Sequence, residues 1–204
     1  MKHPVSPLRE RRRKLTAREI QHAALELVRA QGFAPVTTEM IAEAAGVSQR
    51  TFFNYYPNKE AALLGPPVQI DAASIAAFAA ARGPLVDDFG ALILAQFEAN
   101  AASKSTIRAI GDVVRMVPEL GPAFSNSLVT LKNQLAPALV ARGGAPDIGT
   151  EILAEVLAKA MAYLFHGWAH DAEQTPEAAI AAIAAHLRSV AVLLMAGDGG
   201  CTGT

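Results

Sequence analysis

The chain lacks three things: cysteine beyond a single residue, any long unbroken apolar run, and the alternating patterns that strands need. Its only thiol, Cys201, sits in a small-residue tail, GDGGCTGT, which excludes a disulfide framework within one chain and indicates no thiolate metal site. No stretch of about 18 uninterrupted apolar residues occurs. The first residues, MKHPVSPLRERRRK, place charge and proline where a secretory signal needs an apolar segment. A soluble, cytoplasmic protein with no membrane contact is therefore expected. Catalytic signatures are missing too: there is no Gly-x-Ser-x-Gly, no glycine-rich phosphate loop and no Cys-x-x-Cys. His166 and His170 are four residues apart on one predicted helix, but HGWAH lacks the glutamate of a zinc hydrolase, and the pair reads as packing. No enzyme, cofactor or metal is expected.

What is present points to helices. Alanine, the best helix former, dominates from residue 72 onward, and the fold class expected is all-α. With 204 residues, 51% of them hydrophobic, the chain can bury the core of one large domain or two small ones. The net charge is −1, but it is unevenly spread: residues 1–64 hold ten Lys/Arg against six Asp/Glu, whereas residues 65–204 hold eight against thirteen. A basic head on an acidic body suits a polyanion at one end only, or else a solvated basic tail.

Local signals then divide the chain. Thr16-x-x-Glu19 reads as a capping box opening the first helix, whose Ile20, Ala23, Ala24, Leu27 and Val28 form one apolar stripe that Gly32 ends. Thr37 or Thr38 caps a short second helix carrying Met40, Ile41, Ala44 and Ala45. Gly46 makes the turn, Ser48 caps a third helix, Pro57 ends it, and Asn58 caps a fourth with Lys59 and Glu60 in its first turn. Gly65-Pro66-Pro67, Gly83-Pro84, Pro118, Gly121-Pro122, the loop Arg142 to Gly149 and Thr175-Pro176 punctuate the remainder, giving about nine helices in all. The last two fall at roughly 150–170 and 176–196, the second with Pro176 at its first position. The organisation expected is a flexible basic arm over 1–15, a three-helix domain over 16–64, a larger helical body over 65–197 and a disordered tail over 198–204.

Two short helices joined by a tight glycine turn, Thr38 to Ala45 and Ser48 to Tyr55, make a helix-turn-helix pattern whose second helix can lie in a major groove. On a helical wheel Phe52 lies opposite Arg50 and Asn54 and packs inward with Tyr56, while Arg50, Phe53 and Asn54, flanked by Gln49, share the outward face. Arginine can bond a guanine edge, asparagine or glutamine an adenine, and phenylalanine can pack on a thymine methyl. By itself this pattern also fits a helical small-molecule-binding protein, or a protein–protein adaptor that uses the two helices structurally.

Residues 36–64, VTTEMIAEAAGVSQRTFFNYYPNKEAALL, resemble the signature of the tetracycline-repressor (TetR-like) family. Thr38, Ile41, Ala42, Ala45, Gly46, Val47, Ser48, Thr51, Phe52, Phe53, Tyr55, Pro57, Lys59, Glu60 and Leu63 all fall in register with it. Arg50 stands where the family commonly has glycine, and Tyr56 where it has phenylalanine. The resemblance implies a DNA-binding transcriptional regulator, most often a repressor. It places Thr38 and Ser48 near helix N-termini, Thr51, Tyr55 and Lys59 on phosphates, and Gln49, Arg50, Phe53 and Asn54 toward bases. The basic run RERRRK, residues 9–14, is similar to N-terminal extensions in some family members and reads either as a contact to the groove or backbone or as a solubilising tail.

The resemblance further implies a double-stranded DNA operator, a homodimer through the last two helices, and a small effector in the body. On the last helix Ile180, Ile183, Ala184, Leu187, Val190, Ala191 and Leu194 make a broad apolar stripe, which fits either a partner or the protomer's own core. The apolar interior implies a hydrophobic effector, with Phe97, Met116, Phe124, Tyr163, His166 and Trp168 as candidate contacts.

Overall fold

The structure is a computed structural model describing residues 7–66, 68–99 and 104–196. Among these residues there is no strand. They form ten α-helices: α1 (Pro7–Gln31), α2 (Thr38–Ala44), α3 (Gln49–Tyr55), α4 (Lys59–Leu64), α5 (Ala72–Ala80), α6 (Leu85–Ala99), α7 (Lys104–Met116), α8 (Gly121–Ala141), α9 (Ile148–His170) and α10 (Pro176–Met195), with a 3-10 turn, Pro118–Leu120, before α8. The all-helical expectation holds, with ten helices in place of about nine. The tail expected over 198–204, with Cys201, lies outside the described residues, as does the start of the basic arm.

The first helix departs from the sequence reading. It begins at Pro7, so Thr16 and Glu19 lie inside it and Arg9 to Lys14, expected in a flexible arm, are helical. The reason is local: proline suits the first helical position, and the leucine, arginine, glutamate and lysine that follow are good helix formers, with nothing to break the helix before Gln31. Elsewhere the caps act as expected: Thr37, Ser48, Asn58 and Thr175 accept hydrogen bonds from the backbone N–H groups of Met40, Thr51, Ala61 and Ala178. Asp147, which the sequence reading left in a loop, accepts from Thr150 and starts α9 at Ile148; such caps are worth about 1 kcal/mol each.

The chain forms two compact units, Met1–Val68 with Arg108–Ser127, and Gln69–Ile107 with Leu128–Thr204, so α7 and α8 each contribute to both. The core of the first unit takes Ile20, Ala24, Leu25 and Val28 from α1, Ile41 and Ala42 from α2, Phe52 and Tyr56 from and just after α3, and Ala62 and Leu63 from α4. Ala109, Val113, Val117 and Leu120 join this cluster, from a stretch that the sequence reading gave to the body.

The second unit is built around α9, whose Thr150, Ala154, Leu157, Ala158, Met161 and Leu164 recur on one buried face. Phe78 of α5, Phe89, Leu92 and Ile93 of α6, and Leu131, Leu135 and Leu139 of α8 pack into the same core. At Gly90 of α6 an added Cβ would come within 2.9 Å of Ile180 of α10, so this crossing demands glycine or a shift. Two cationic side chains close loops here. Arg142, just after α8, donates to the carbonyl of Phe78 (2.9 Å) and the carboxylate of Asp88 (2.7 Å). Lys104 donates to the carbonyls of Asp171 (2.8 Å), Ala172 (3.0 Å) and Gln174 (2.8 Å) beyond the end of α9.

The apolar stripe on α10 divides. Ile180, Ile183 and Leu187 pack against the core of their own unit and Ala184 is buried. Val190 is half exposed, and Val192, Leu193, Leu194 and Met195 are 66–77% exposed. Among the described residues α10 alone is long and apolar enough to cross a membrane by length and composition; Ala179 and Ala184 are its buried residues. On α9 the face opposite the core exposes Ile148, Ile152, Val156 and Tyr163, another helical stripe.

Candidate nucleic-acid interface

The turn between α2 and α3 is fixed by Gly46, whose φ of 66° is a left-handed conformation that side chains with a Cβ rarely adopt. Its N–H bonds the carbonyl of Glu43 and that of Val47 bonds Ala42, so the chain leaves α2 and re-enters α3 within a few residues. Ser48 then caps α3: its hydroxyl accepts from the Thr51 N–H at 3.1 Å and pairs with the Thr51 hydroxyl at 2.8 Å. On the inner side Phe52 is fully buried, edge-on to Phe53 and tilted against Tyr56. Tyr56 donates its phenol to the carbonyl of Ala17 at 3.0 Å, tying the end of α3 to α1, and burial pushes its pKa up to about 12.

With Phe52 held inside, the opposite face of α3 turns outward. Gln49, Arg50, Phe53 and Asn54 are exposed, and neither Arg50 nor Asn54 has a polar side-chain partner among the described residues. Gln49 is different: its amide donates to the carboxylate of Glu39 on α2. The Glu39 carboxyl is held below its ordinary pKa, first by a backbone N–H and then by the hydroxyl of Thr37. Thr38 is the first residue of α2, half-buried, while the capping is done by Thr37. Tyr55 is half-buried against the core of the first unit.

Lys59 occupies a place that its spacing did not foretell. Its ammonium is turned into the loop after α1, donating to the carbonyls of Phe33 (2.8 Å) and Val36 (2.9 Å), with that of Ala34 at 3.5 Å, and it lies 4.0 Å from the centre of the Phe33 ring. The loop it holds leads directly into the Thr37 cap of α2. Arg9, Arg11, Arg12, Arg13 and Lys14 are exposed on the N-terminal turns of α1, as is Arg18 further along. Seen as helix, these charges form a basic projection of the unit that carries α3, which no arm-like reading of RERRRK suggested.

The six candidate effector residues do not come together as one set. Phe97 and Trp168 meet, with centroids 4.8 Å apart, and Phe165 joins them 4.6 Å from Phe97. His166 stacks on His170 with centroids 4.2 Å apart, and Tyr163 is 72% exposed. Met116 is exposed and, with Phe124, belongs to the first unit. Two open grooves, one between α8 and the start of α9 lined by Pro137, Val140 and Ile148, the other along α1 lined by His22, Leu27 and Ala45, include none of the six. Phe165, which meets Phe97, and Lys104, which lies over Trp168, were not singled out as contacts; only the i, i+3 spacing of Phe165 and Trp168 was visible in the sequence.

Comparison with known proteins bears on the first unit above all. The family described as "Bacterial regulatory proteins, tetR family" matches residues 20–64. Over 70 residues the chain is 44% identical to the HTH-type transcriptional regulator TcmR of Streptomyces glaucescens, covering 34% of this chain and 31% of TcmR. Over 51 residues it is 47% identical to a putative mycofactocin biosynthesis transcriptional regulator, MftR, of Mycobacterium tuberculosis, covering 25% of this chain and 26% of MftR. These matches thus span about a third or less of either relative's length. The crystal structure of Thermus thermophilus FadR, a TetR-family transcriptional repressor in complex with lauroyl-CoA, is similar over 92% of this chain and 100% of its own, with 27% identity and a TM-score of 0.50.

Proposed function

Residues 20–64 of this chain belong to the tetR family of bacterial regulatory proteins, and from that premise we propose that the protein is a cytoplasmic, DNA-binding transcription repressor released by a small hydrophobic effector. The observation that carries this is the face of α3: Arg50, Phe53 and Asn54 are exposed on a helix whose other side is locked by Phe52 and Tyr56. A rigid helix with a guanine-reading, a methyl-packing and an adenine-reading group outward is equipped to discriminate base pairs. Ser48, Thr51 and Tyr55 supply hydroxyls beside it for phosphates, Thr38 does so from α2, and Gln49 reads from its anchored position on Glu39. Lys59 shapes the approach by holding the loop before α2, and the basic first turns of α1 add phosphate contacts. No catalytic step is part of this reading.

Two such heads require a dimer, and the exposed ends of α9 and α10 are its proposed seat. Bare apolar side chains such as Val192, Leu193, Leu194 and Met195 on α10, and Ile148, Ile152, Val156 and Tyr163 on α9, are what a two-fold helical interface buries. The effector reading draws support from the lauroyl-CoA bound to the Thermus FadR, an acyl group on a carrier, and from the apolar lining around Phe97 and Trp168.

The test is an electrophoretic mobility shift with genomic fragments at two salt concentrations, beside sedimentation of Leu193→Glu. The reading requires sequence-selective retardation that weakens steeply with salt, and a Leu193→Glu protein that sediments as monomer and loses tight operator binding. Retardation of no fragment, or of every fragment alike, contradicts it.

A further inference from the structure

Trp168 is the only tryptophan in the chain. Its ring lies on the rim of the second unit's core, against Phe97, and the Phe165 ring is tilted against Phe97 as well. The indole Nε1 is buried, yet its N–H has no hydrogen-bond partner among the described residues. A buried donor left unmade carries the full cost of its lost hydration, and tryptophan N–H groups normally find a partner when buried. A packing role alone would be served as well by phenylalanine, which carries no such cost.

The surroundings define what the missing acceptor is. Lys104 stands 4.9 Å from the centre of the Trp168 ring, and a cation at that distance withdraws electron density from the indole and sharpens its N–H as a donor. The Lys104 ammonium itself is occupied by the carbonyls of Asp171, Ala172 and Gln174, so it offers no hydrogen bond to a carboxylate or phosphate. The ring that meets the indole, Phe97, is apolar, and so is Phe165, which meets Phe97 in turn.

We propose that the Phe97–Phe165–Trp168 cluster is an effector subsite that takes an apolar ligand bearing a neutral carbonyl oxygen, which accepts the Trp168 Nε1–H bond while its carbon frame stacks on the phenylalanines. This rests on the reading that the second unit binds an effector, and it narrows the effector to ketone, ester, amide or thioester chemistry. The ligand enters by parting the Phe97 ring from those of Phe165 and Trp168, which now meet it. A bare hydrocarbon of the same shape binds less well because it leaves the indole N–H unmade.

A single indole N–H gives the experiment a private probe. The 1H–15N spectrum of the full-length protein contains one indole resonance, and it is titrated with 2-acetylnaphthalene and with 2-ethylnaphthalene, which differ essentially in the carbonyl oxygen. The proposal requires that the ketone shift this resonance toward the hydrogen-bonded range, that it bind about fivefold more tightly than the ethyl compound, the effect of one neutral hydrogen bond, and that Trp168→Phe bind both alike. It is overturned if neither compound moves the resonance, if the ligand-free resonance already has the hydrogen-bonded position, if the two bind equally well, or if Trp168→Phe keeps the preference. Operator binding and release are followed on the same samples. A compound that releases DNA without moving the indole signal sinks this subsite and leaves the effector reading intact, whereas an indole shift in a protein that retards no DNA does the reverse.

Discussion

Each unit of this protein closes a long helix with a lysine from the first position of another helix, and the two lysines repay comparison. In the first unit Lys59 of α4 bonds the carbonyls of Phe33 and Val36 after α1 and lies over Phe33; in the second, Lys104 of α7 bonds those of Asp171, Ala172 and Gln174 after α9 and lies over Trp168. The physical problem is the same: the carbonyls of the loop that leaves a helix have no helical partner, and one ammonium answers several at once. The ranges differ. Lys59 reaches 23–26 residues back, within one sequence motif, while Lys104 reaches 67–70 residues forward, to a loop its own sequence context does not announce. The aromatic under each cation also differs, a phenylalanine without polar atoms in one case and an indole with an unmade donor in the other.

The comparison breaks most visibly in the cores. Phe52→Ala in the first unit and Phe89→Ala in the second each remove a fully buried ring and are expected to cost about 3–5 kcal/mol. Thermal denaturation followed by DNA binding and by Trp168 emission separates them: Phe52→Ala abolishes DNA binding and leaves the emission maximum in place, while Phe89→Ala displaces the emission. Next come the clamps. Lys59→Met and Lys104→Met each leave carbonyls without their donor, for an expected loss of about 1–3 kcal/mol. Lys59→Met lowers DNA affinity through the loop before α2 with the salt slope unchanged, whereas a lost phosphate contact would flatten that slope by about 0.9. Lys104→Met leaves DNA affinity alone and alters Trp168 fluorescence.

The smallest effect concerns Tyr56. Its phenol titrates near 12 in the folded protein, above its ordinary 10.0, because burial disfavours the phenolate. The neutral phenol therefore contributes its stabilisation in full below about pH 10, and that contribution is lost as pH rises toward about 12. Tyr56→Phe is expected to cost about 1 kcal/mol at neutral pH through the bond to Ala17. Between pH 10 and 12 its melting temperature falls less than that of the wild type; parallel falls would mean that Tyr56 does not control the alkaline limb.

The first unit was legible in the sequence because its determinants are near neighbours: Thr37, Gly46, Ser48 and Asn58 act within a few residues of themselves, and the inward Phe52 follows from helical phase. The start of α1 was not, because a capping box marks a possible start only where nothing upstream is already helical, and Pro7 to Leu15 has no breaker. The α10 stripe misled for another reason. An alanine-rich helix carries apolar side chains on more than one face, so Leu187 of the protomer's own core and Leu194 of the exposed end read as one surface. The effector residues were least legible, since which aromatics meet depends on contacts between α6 and α9 that no local pattern encodes.

The central claim, that α3 reads bases, is tested most directly by selecting binding sites from a random duplex library with the wild type and with Arg50→Ala. The account predicts that the wild type enriches a two-fold symmetric site whose half-sites lie about one helical turn, or a multiple of it, apart. It also predicts that Arg50→Ala enriches the same site with the preference at one base pair of each half lost. A wild-type protein that enriches no sequence, or an Arg50→Ala protein with unchanged preferences at every position, would contradict it.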